Sequence, residues 1–79
     1  MHVTFSQALS RLRREKGVSQ RQAAQALEVS QALLSHYENG RREPSLAMLE
    51  RMSDYFDVSI HYLITGREFE KRTETVYPK

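Results

Sequence analysis

Residues 19 to 40 read SQRQAAQALEVSQALLSHYENG, and the pair Ser-Gln occurs twice in this stretch, at Ser19 and again at Ser30. Serine is a preferred N-cap because its hydroxyl accepts a hydrogen bond from an otherwise unpaired backbone N–H at the helix start. Gln22, three residues after Ser19, completes a capping-box pattern. The two starts leave room for only one short helix between them. The stretch therefore predicts two helices joined by a very short turn at Glu28-Val29.

The same kinds of signal recur along the chain and predict five short helices on one core. The predicted N-caps are Thr4 (a capping box with Gln7), Ser19, Ser30, Ser45 and Ser59, and the predicted stops are Gly17, Gly40 and Gly66. Within the predicted helices, apolar residues recur at spacings of three and four, which is typical of one helical face. These residues are Phe5, Leu9, Leu12, Leu34, Tyr37, Leu46, Leu49, Met52, Phe56, Ile60, Leu63 and Ile64.

Length and composition limit the class of protein. The chain has 79 residues and no cysteine, so we expect one domain without disulfides or a thiolate metal site. No apolar run approaches the roughly 20 residues that a membrane span needs, and the N-terminus lacks the layout of a secretory signal. We therefore expect a soluble, cytoplasmic protein with no membrane contact.

Charge is unevenly distributed along the chain. Residues 1 to 42 carry seven Lys/Arg and three Asp/Glu, whereas residues 43 to 79 carry five and seven. A basic first half suggests a polyanionic partner, although many basic faces are merely solvated surface.

No pattern in the sequence indicates catalysis, a cofactor or a metal. The three histidines at positions 2, 36 and 61 lack ligand spacing, and no cysteine or carboxylate cluster supports them. Ser35 and His36 are neighbours in a predicted helix, so their side chains point about 100° apart, and no third group orients the imidazole. We expect a protein that is not an enzyme.

The predicted helix from Ser30 to Asn39 has an unusual outward face. Leu34 and Tyr37 lie on its inner side, with Leu33 at the edge. The residues on the outer side are Gln31, Ala32, Ser35, His36 and Asn39. This face is polar but almost uncharged, unlike the Lys/Glu-rich surface of a merely solvated helix. Glutamine can contact adenine in a bidentate manner, and small residues let a helix sit deep in the major groove, so the face suits base reading.

The stretch SQRQAAQALEVSQALLSHYENGRREPSLAMLERMSDYFDVSIHYLITG resembles the Cro/repressor (XRE-type) helix-turn-helix family without a gap. The resemblance covers residues 5 to 66, and its most specific parts are VSQALLSHYENG, the basic loop with PSL, and DVSIHYLITG. It implies an all-α fold, a compact five-helix lambda-repressor-like DNA-binding domain over residues 1 to 66. Residues 67 to 79 would form a C-terminal tail, either a frayed extension or a small pairing strand.

The resemblance also implies roles for individual residues in binding double-stranded DNA. Gln31, Ala32 and His36 would face the bases, whereas Gln20, Ser30, Asn39, Arg41 and Arg42 would contact phosphates. Arg21 and Ser35 are also expected to bind DNA. Gln20 is also expected to brace Gln31. Arg13 and Glu38 resemble the family's partly buried ion pair, whereas their positions in the sequence alone are equally compatible with two unrelated surface charges. His36 and the Arg41-Arg42 loop have a simpler reading as solvated surface.

Three positions depart from the family's pattern. Glu28 stands in the inter-helix turn where glycine is usual, and Asp57 stands where another glycine often ends the fourth helix. If both adopt positive φ, each should cost up to roughly 1 kcal/mol relative to glycine. Ala32 replaces a residue that is often polar, so it offers only a methyl group, for example to thymine.

Two functional classes follow from these features. The first is a sequence-specific transcriptional regulator, a repressor that binds an inverted-repeat operator as a homodimer. The second is an antitoxin-like or other protein-interaction module on the same fold. For the first class we expect the two-fold contact near Tyr62, Ile64 and the tail, although Tyr62 is also compatible with the core.

Overall fold

Five α-helices in succession make up the part of the chain that the structure, a computed structural model, describes, namely residues 3 to 66. They are α1 (Val3–Lys16), α2 (Gln20–Leu27), α3 (Gln31–Glu38), α4 (Leu46–Phe56) and α5 (Ile60–Thr65). No strand occurs within these residues, so the predicted all-α, five-helix fold is confirmed. The predicted tail, residues 67 to 79, lies outside the described residues.

Serine side chains start four of the five helices as predicted. The hydroxyls of Ser19, Ser30, Ser45 and Ser59 each accept a hydrogen bond from the backbone N–H three residues later, at 2.9 to 3.1 Å. At Ser19 the capping box is complete, because the backbone N–H of Ser19 also donates to Gln22 Oε1 at 2.9 Å. The prediction for the first helix was wrong: α1 begins at Val3, so Thr4 lies inside it. Thr and Gln are tolerated within a helix, and their spacing alone does not fix a start.

Two helices end on residues other than glycine in the left-handed conformation. Glu28, after α2, has φ 64°, and Asp57, after α4, has φ 58°. The positive φ predicted conditionally for both positions is therefore present. The predicted glycine stops at positions 17, 40 and 66 are also confirmed, with φ of 77 to 78°.

A single core lies where α1 packs against α3, α4 and α5, and where α2 packs against α3 and α4. Its fully buried large side chains are Phe5, Leu9, Leu27, Leu34, Met52 and Leu63. Phe5 and Tyr37 meet edge to face with ring centroids 6.2 Å apart, joining α1 to α3. Most of the predicted inward residues are therefore in the core.

Two apolar residues of the predicted helices are on the surface instead: Leu46, predicted on the inner face of α4, and Ile64, predicted near the two-fold contact. Leu46 is 65% exposed and Ile64 is 46% exposed. Leu46 is the first residue of α4, where its Cβ is tilted toward the helix N-terminus and past the edge of the core. Tyr62, predicted at the two-fold contact, is buried, and its hydroxyl accepts a hydrogen bond from Arg11 Nη2. Periodicity alone could not distinguish the two sides of so short a helix as α5.

Long side chains hold the helices together at their ends. Arg11 also lies over the Tyr62 ring, 5.7 Å from its centroid, and the hydrogen bond to Tyr62 raises the pKa of the Arg11 guanidinium further. Arg51 Nη1 donates to the backbone carbonyl of Leu27 at 3.0 Å, so α4 caps the last turn of α2. None of the described helices is both long enough and apolar enough to cross a membrane.

Candidate nucleic-acid interface

The turn between α2 and α3 brings the two helices together with only three residues between them. The backbone N–H of Val29 donates to the carbonyl of Ala24 at 3.0 Å, which closes the end of α2. Glu28 provides the left-handed residue and Ser30 then caps α3. Small side chains make this close approach possible, since Ala23 and Ala24 are almost fully buried. α2 therefore supports α3 directly, as the sequence predicts.

One side of α3 is buried in the core and the other faces solvent. Leu34 is 0% exposed and Tyr37 is 5% exposed, which fixes the rotation of the helix about its axis. On the opposite side Gln31 and Ala32 are exposed near the N-terminus of α3. α3 therefore presents its first turn, with a glutamine and a methyl group, away from the domain.

The predicted contact residues differ in their exposure. Arg21, Ser30, Gln31, Ala32, Asn39, Arg41 and Arg42 are exposed, whereas Gln20, Ser35 and His36 are half-buried. Asn39 Nδ2 lies 3.4 Å from Ser35 Oγ, to which it donates along the same face of α3. All of these residues belong to α2, α3, the turn between them or the loop that follows α3.

Both helix starts in this unit have free hydrogen-bonding capacity for an anion. The first N–H groups of a helix have no intrahelical acceptor, and a serine cap satisfies only one of them. In α3 the Ser30 hydroxyl accepts a hydrogen bond from the backbone N–H of Leu33 at 3.0 Å. Backbone N–H groups at Gln31 and Ala32 therefore remain directed out of the helix start, where the helix dipole also favours negative charge.

A loop with two arginines follows α3. The backbone N–H of Arg41 donates to the carbonyl of His36 at 2.8 Å, so the loop folds back on the end of α3. The side chains of Arg41 and Arg42 are exposed. Arg21, in the first turn of α2, is exposed as well. Positive charge thus lies beside the uncharged face of α3 rather than on it.

An ion pair ties α1 to the end of α3. Arg13 Nε donates to Glu38 Oε2 at 2.7 Å and Arg13 Nη2 donates to Glu38 Oε1 at 3.2 Å, so the pair is bidentate. Arg13 Nη1 also donates to the carbonyl of Val18, in the turn before α2, at 3.1 Å. The two side chains are 18% and 6% exposed. This arrangement links α1, the α1–α2 turn and α3.

Gln20 makes a contact that was not predicted. Its Nε2 donates to Glu38 Oε1 at 3.1 Å, so the amide braces the end of α3. The Gln20 amide nitrogen faces Glu38 because a charged carboxylate is a stronger acceptor than a neutral amide. The Gln20–Gln31 brace stays a prediction.

Two contributors to this region were missed from the sequence. Ser10 donates to Glu38 Oε1 at 3.2 Å, and Arg51 holds the carbonyl of Leu27. Ser10 precedes Arg13 by three residues in α1, so it lies on the same face, and this spacing could have indicated a shared partner. Arg51 is 24 residues from Leu27, and no local signal indicates its contact.

The described residues contain no group of three or more His, Cys, Asp or Glu side chains that could hold a metal ion. The surface formed by α2, α3 and the following loop instead combines hydrogen-bonding side chains, exposed arginines and two helix starts.

Comparison with known proteins places this geometry in context. A helix-turn-helix family model matches residues 9–63. Over 73 residues the chain is 35% identical to the HTH-type transcriptional activator BcrR of Enterococcus faecalis, covering 92% of this chain and 36% of the relative. The chain spans only about 36 to 58% of the length of the curated relatives that it matches.

Solved structures give the same comparison in three dimensions. The N-terminal DNA-binding domain of SinR from Bacillus subtilis is similar with a TM-score of 0.74 and 34% identity, covering 89% of this chain and 97% of that one. The restriction-modification controller protein C.AhdI from Aeromonas hydrophila has a TM-score of 0.71 and 30% identity, covering 77% and 88%.

Proposed function

The chain belongs to the helix-turn-helix family, and we propose that it regulates transcription by binding double-stranded DNA in a sequence-specific manner. One observation carries the proposal: the exposed turn of α3 is uncharged, and exposed arginines precede it in α2 and follow it in the loop after α3. The similar domain of SinR is described as DNA-binding, which supports the same function here.

Base reading is assigned to α3. Gln31 has an amide that can donate to and accept from adenine, and the Ala32 methyl fits against a thymine methyl. Ser35 and His36 follow on the same face and are half-buried, so only their outer atoms can reach base edges. Gln31 therefore carries most of the hydrogen-bonding discrimination.

Phosphate binding is assigned to the residues around that face. Arg21, Arg41 and Arg42 are exposed and bring positive charge, while the starts of α2 and α3 bring backbone N–H groups. Ser30 and Asn39 flank α3 at its two ends. Contacts of this kind hold the domain on the duplex without distinguishing one sequence from another.

The contact with a second copy of the chain is assigned to the exposed apolar surface near the start of α4. Leu46 and Ile64 are the exposed large hydrophobic residues of the described chain. A groove of about 160 Å³ bordered by Phe5, Pro44, Leu49 and Ile64 lies on this side. A two-fold dimer would cover these side chains and read an inverted repeat whose half-sites are about 34 Å apart.

The dimer can be tested by sedimentation of the wild-type chain and of Leu46→Lys, with Ala26→Lys as a matched control on another surface. We expect Leu46→Lys to sediment as a monomer at concentrations where the wild type and the control are dimers. Dimers of all three proteins would refute the assigned surface. If deletion of residues 67 to 79 alone abolishes the dimer, the contact belongs to the tail.

Binding alone does not fix the direction of regulation. A domain that covers a promoter blocks polymerase, so we propose repression as the simplest output, although BcrR of Enterococcus faecalis is named an activator. The proposed function requires no catalytic step and no cofactor. A regulator of this kind acts where the chromosome lies. In a bacterium such as Enterococcus faecalis, that is the cytoplasm.

DNA binding is tested by fluorescence anisotropy with a random duplex over a range of salt concentrations. Because phosphate contacts release counterions, the logarithm of the binding constant should fall linearly with the logarithm of the salt concentration. Binding that is absent, or that does not respond to salt, would contradict the proposal and favour a protein-interaction module.

A further inference from the structure

Glu38 receives donors from two other helices although it is a single side chain near the end of α3. Its Oε1 accepts from Ser10 Oγ at 3.2 Å and from Gln20 Nε2 at 3.1 Å, in addition to the bidentate contact with Arg13. Ser10 belongs to α1, and Gln20 is the first residue of α2. With the side chain of Glu38 only 6% exposed, water competes little for these acceptor sites.

The Gln20 amide has only one orientation in this contact. An ionised carboxylate accepts hydrogen bonds and cannot donate, so the amide nitrogen of Gln20 must face Glu38. One N–H is used there, and the carbonyl oxygen is turned away. Held in this way, the Gln20 side chain fixes the end of α3 relative to the start of α2. In the proposed complex a phosphate lies at the start of α2.

We propose that Ser10 and Gln20 are positioning residues that set the orientation of α3 through Glu38 and thereby determine how well α3 discriminates between DNA sequences. This inference rests on the proposed function. Arg13 supplies the charge that keeps Glu38 in place, while Ser10 and Gln20 restrict the remaining rotation of its carboxylate. Neither residue needs to touch a base to have this effect.

The consequence for binding differs between specific and random DNA. A bidentate contact from Gln31 to a base edge requires accurate placement of α3, because hydrogen bonds weaken steeply as their angle departs from linear. Contacts from exposed arginines to phosphates tolerate small displacements of the domain. Loosening Glu38 should therefore lower affinity for the preferred site more than affinity for random DNA.

The test compares Ser10→Ala and Gln20→Met with the wild type, using a selected duplex and a random duplex of equal length. Gln25→Met is the matched control, since Gln25 is exposed on the same helix and makes no described contact with Glu38. We expect the ratio of specific to random affinity to fall about threefold to tenfold in each variant, which is the typical net effect of losing one hydrogen bond. The control ratio should be unchanged.

Two further readouts separate positioning from a general loss of structure. The salt slope should be unchanged in Ser10→Ala, which removes no phosphate contact, and random-duplex affinity should be retained. In a Glu38→Met background, which has no oxygen to accept from Ser10 or Gln20, the effects of both substitutions on the ratio should disappear. If that variant does not fold, the single substitutions still decide the matter.

An unchanged ratio in Ser10→Ala and Gln20→Met would overturn the inference. Equal losses on both duplexes for Gln20→Met would also overturn it, by making Gln20 a phosphate contact only. Failure of the proposed function gives a different result, because the wild type itself would then show no preference between the duplexes.

Discussion

Replacing Glu38 with alanine removes the acceptor for four hydrogen bonds, two from Arg13 and one each from Ser10 and Gln20. The side chain of Arg13, which is 18% exposed beside Glu38, would lose its counter-charge. Breaking a buried pair typically costs 3–5 kcal/mol, and the partial exposure of Arg13 places the expected loss near the lower limit, at about 3 kcal/mol. For a domain of this size that loss corresponds to a fall of roughly 12 to 24 °C in melting temperature.

Urea denaturation followed by circular dichroism measures this loss directly, with the m-value checking that both proteins unfold in the same way. Glu50→Ala is the matched control, because Glu50 is exposed in the middle of α4 and makes no described ion pair. We expect the control to change stability by less than about 0.5 kcal/mol. A loss of less than about 1 kcal/mol in Glu38→Ala would show that the pair behaves as a surface ion pair and that it does not hold α3.

Three other substitutions test the phosphate contacts and the backbone. Arg41→Ala and Arg42→Ala should weaken binding to all duplexes and lower the salt slope by about one each, and an unchanged slope in anisotropy titrations would remove the loop from the interface. Glu28→Gly should stabilise the fold by up to about 1 kcal/mol in urea denaturation, because φ 64° costs glycine nothing. A clear loss instead would mean that the contact between Glu28 and Arg51, 3.7 Å apart, outweighs the backbone cost.

Four of the five helix starts were predictable because their cause is local. A serine hydroxyl at the N-cap needs only a backbone N–H three residues away, and Ser30 shows this with a bond of 3.0 Å to Leu33. The outward face of α3 was predictable as well, since burial of Leu34 and Tyr37 fixes its rotation. The left-handed turn at Glu28 followed from the family resemblance, which places a glycine there.

Contacts between distant parts of the chain could not be predicted in this way. The hydroxyl of Tyr62 accepts a hydrogen bond from Arg11, which is 51 residues earlier in the chain. This pairing places the Tyr62 ring in the core rather than at a two-fold contact. Gln20 contacts Glu38 because the packing of α2 on α3 brings the carboxylate within reach. Such choices depend on three-dimensional packing, for which sequence spacing carries no signal.

The central claim is that the first turn of α3 reads base pairs, and selection of bound duplexes from a random pool with the wild type and Gln31→Ala tests it most directly. We expect the wild type to enrich an inverted repeat with half-sites about one helical turn apart. Gln31→Ala should enrich the same repeat with preference lost at one base pair of each half-site, at a cost of about 1 to 3 kcal/mol on the best site. Enrichment of an identical motif by both proteins, or no enrichment by the wild type, would contradict the claim.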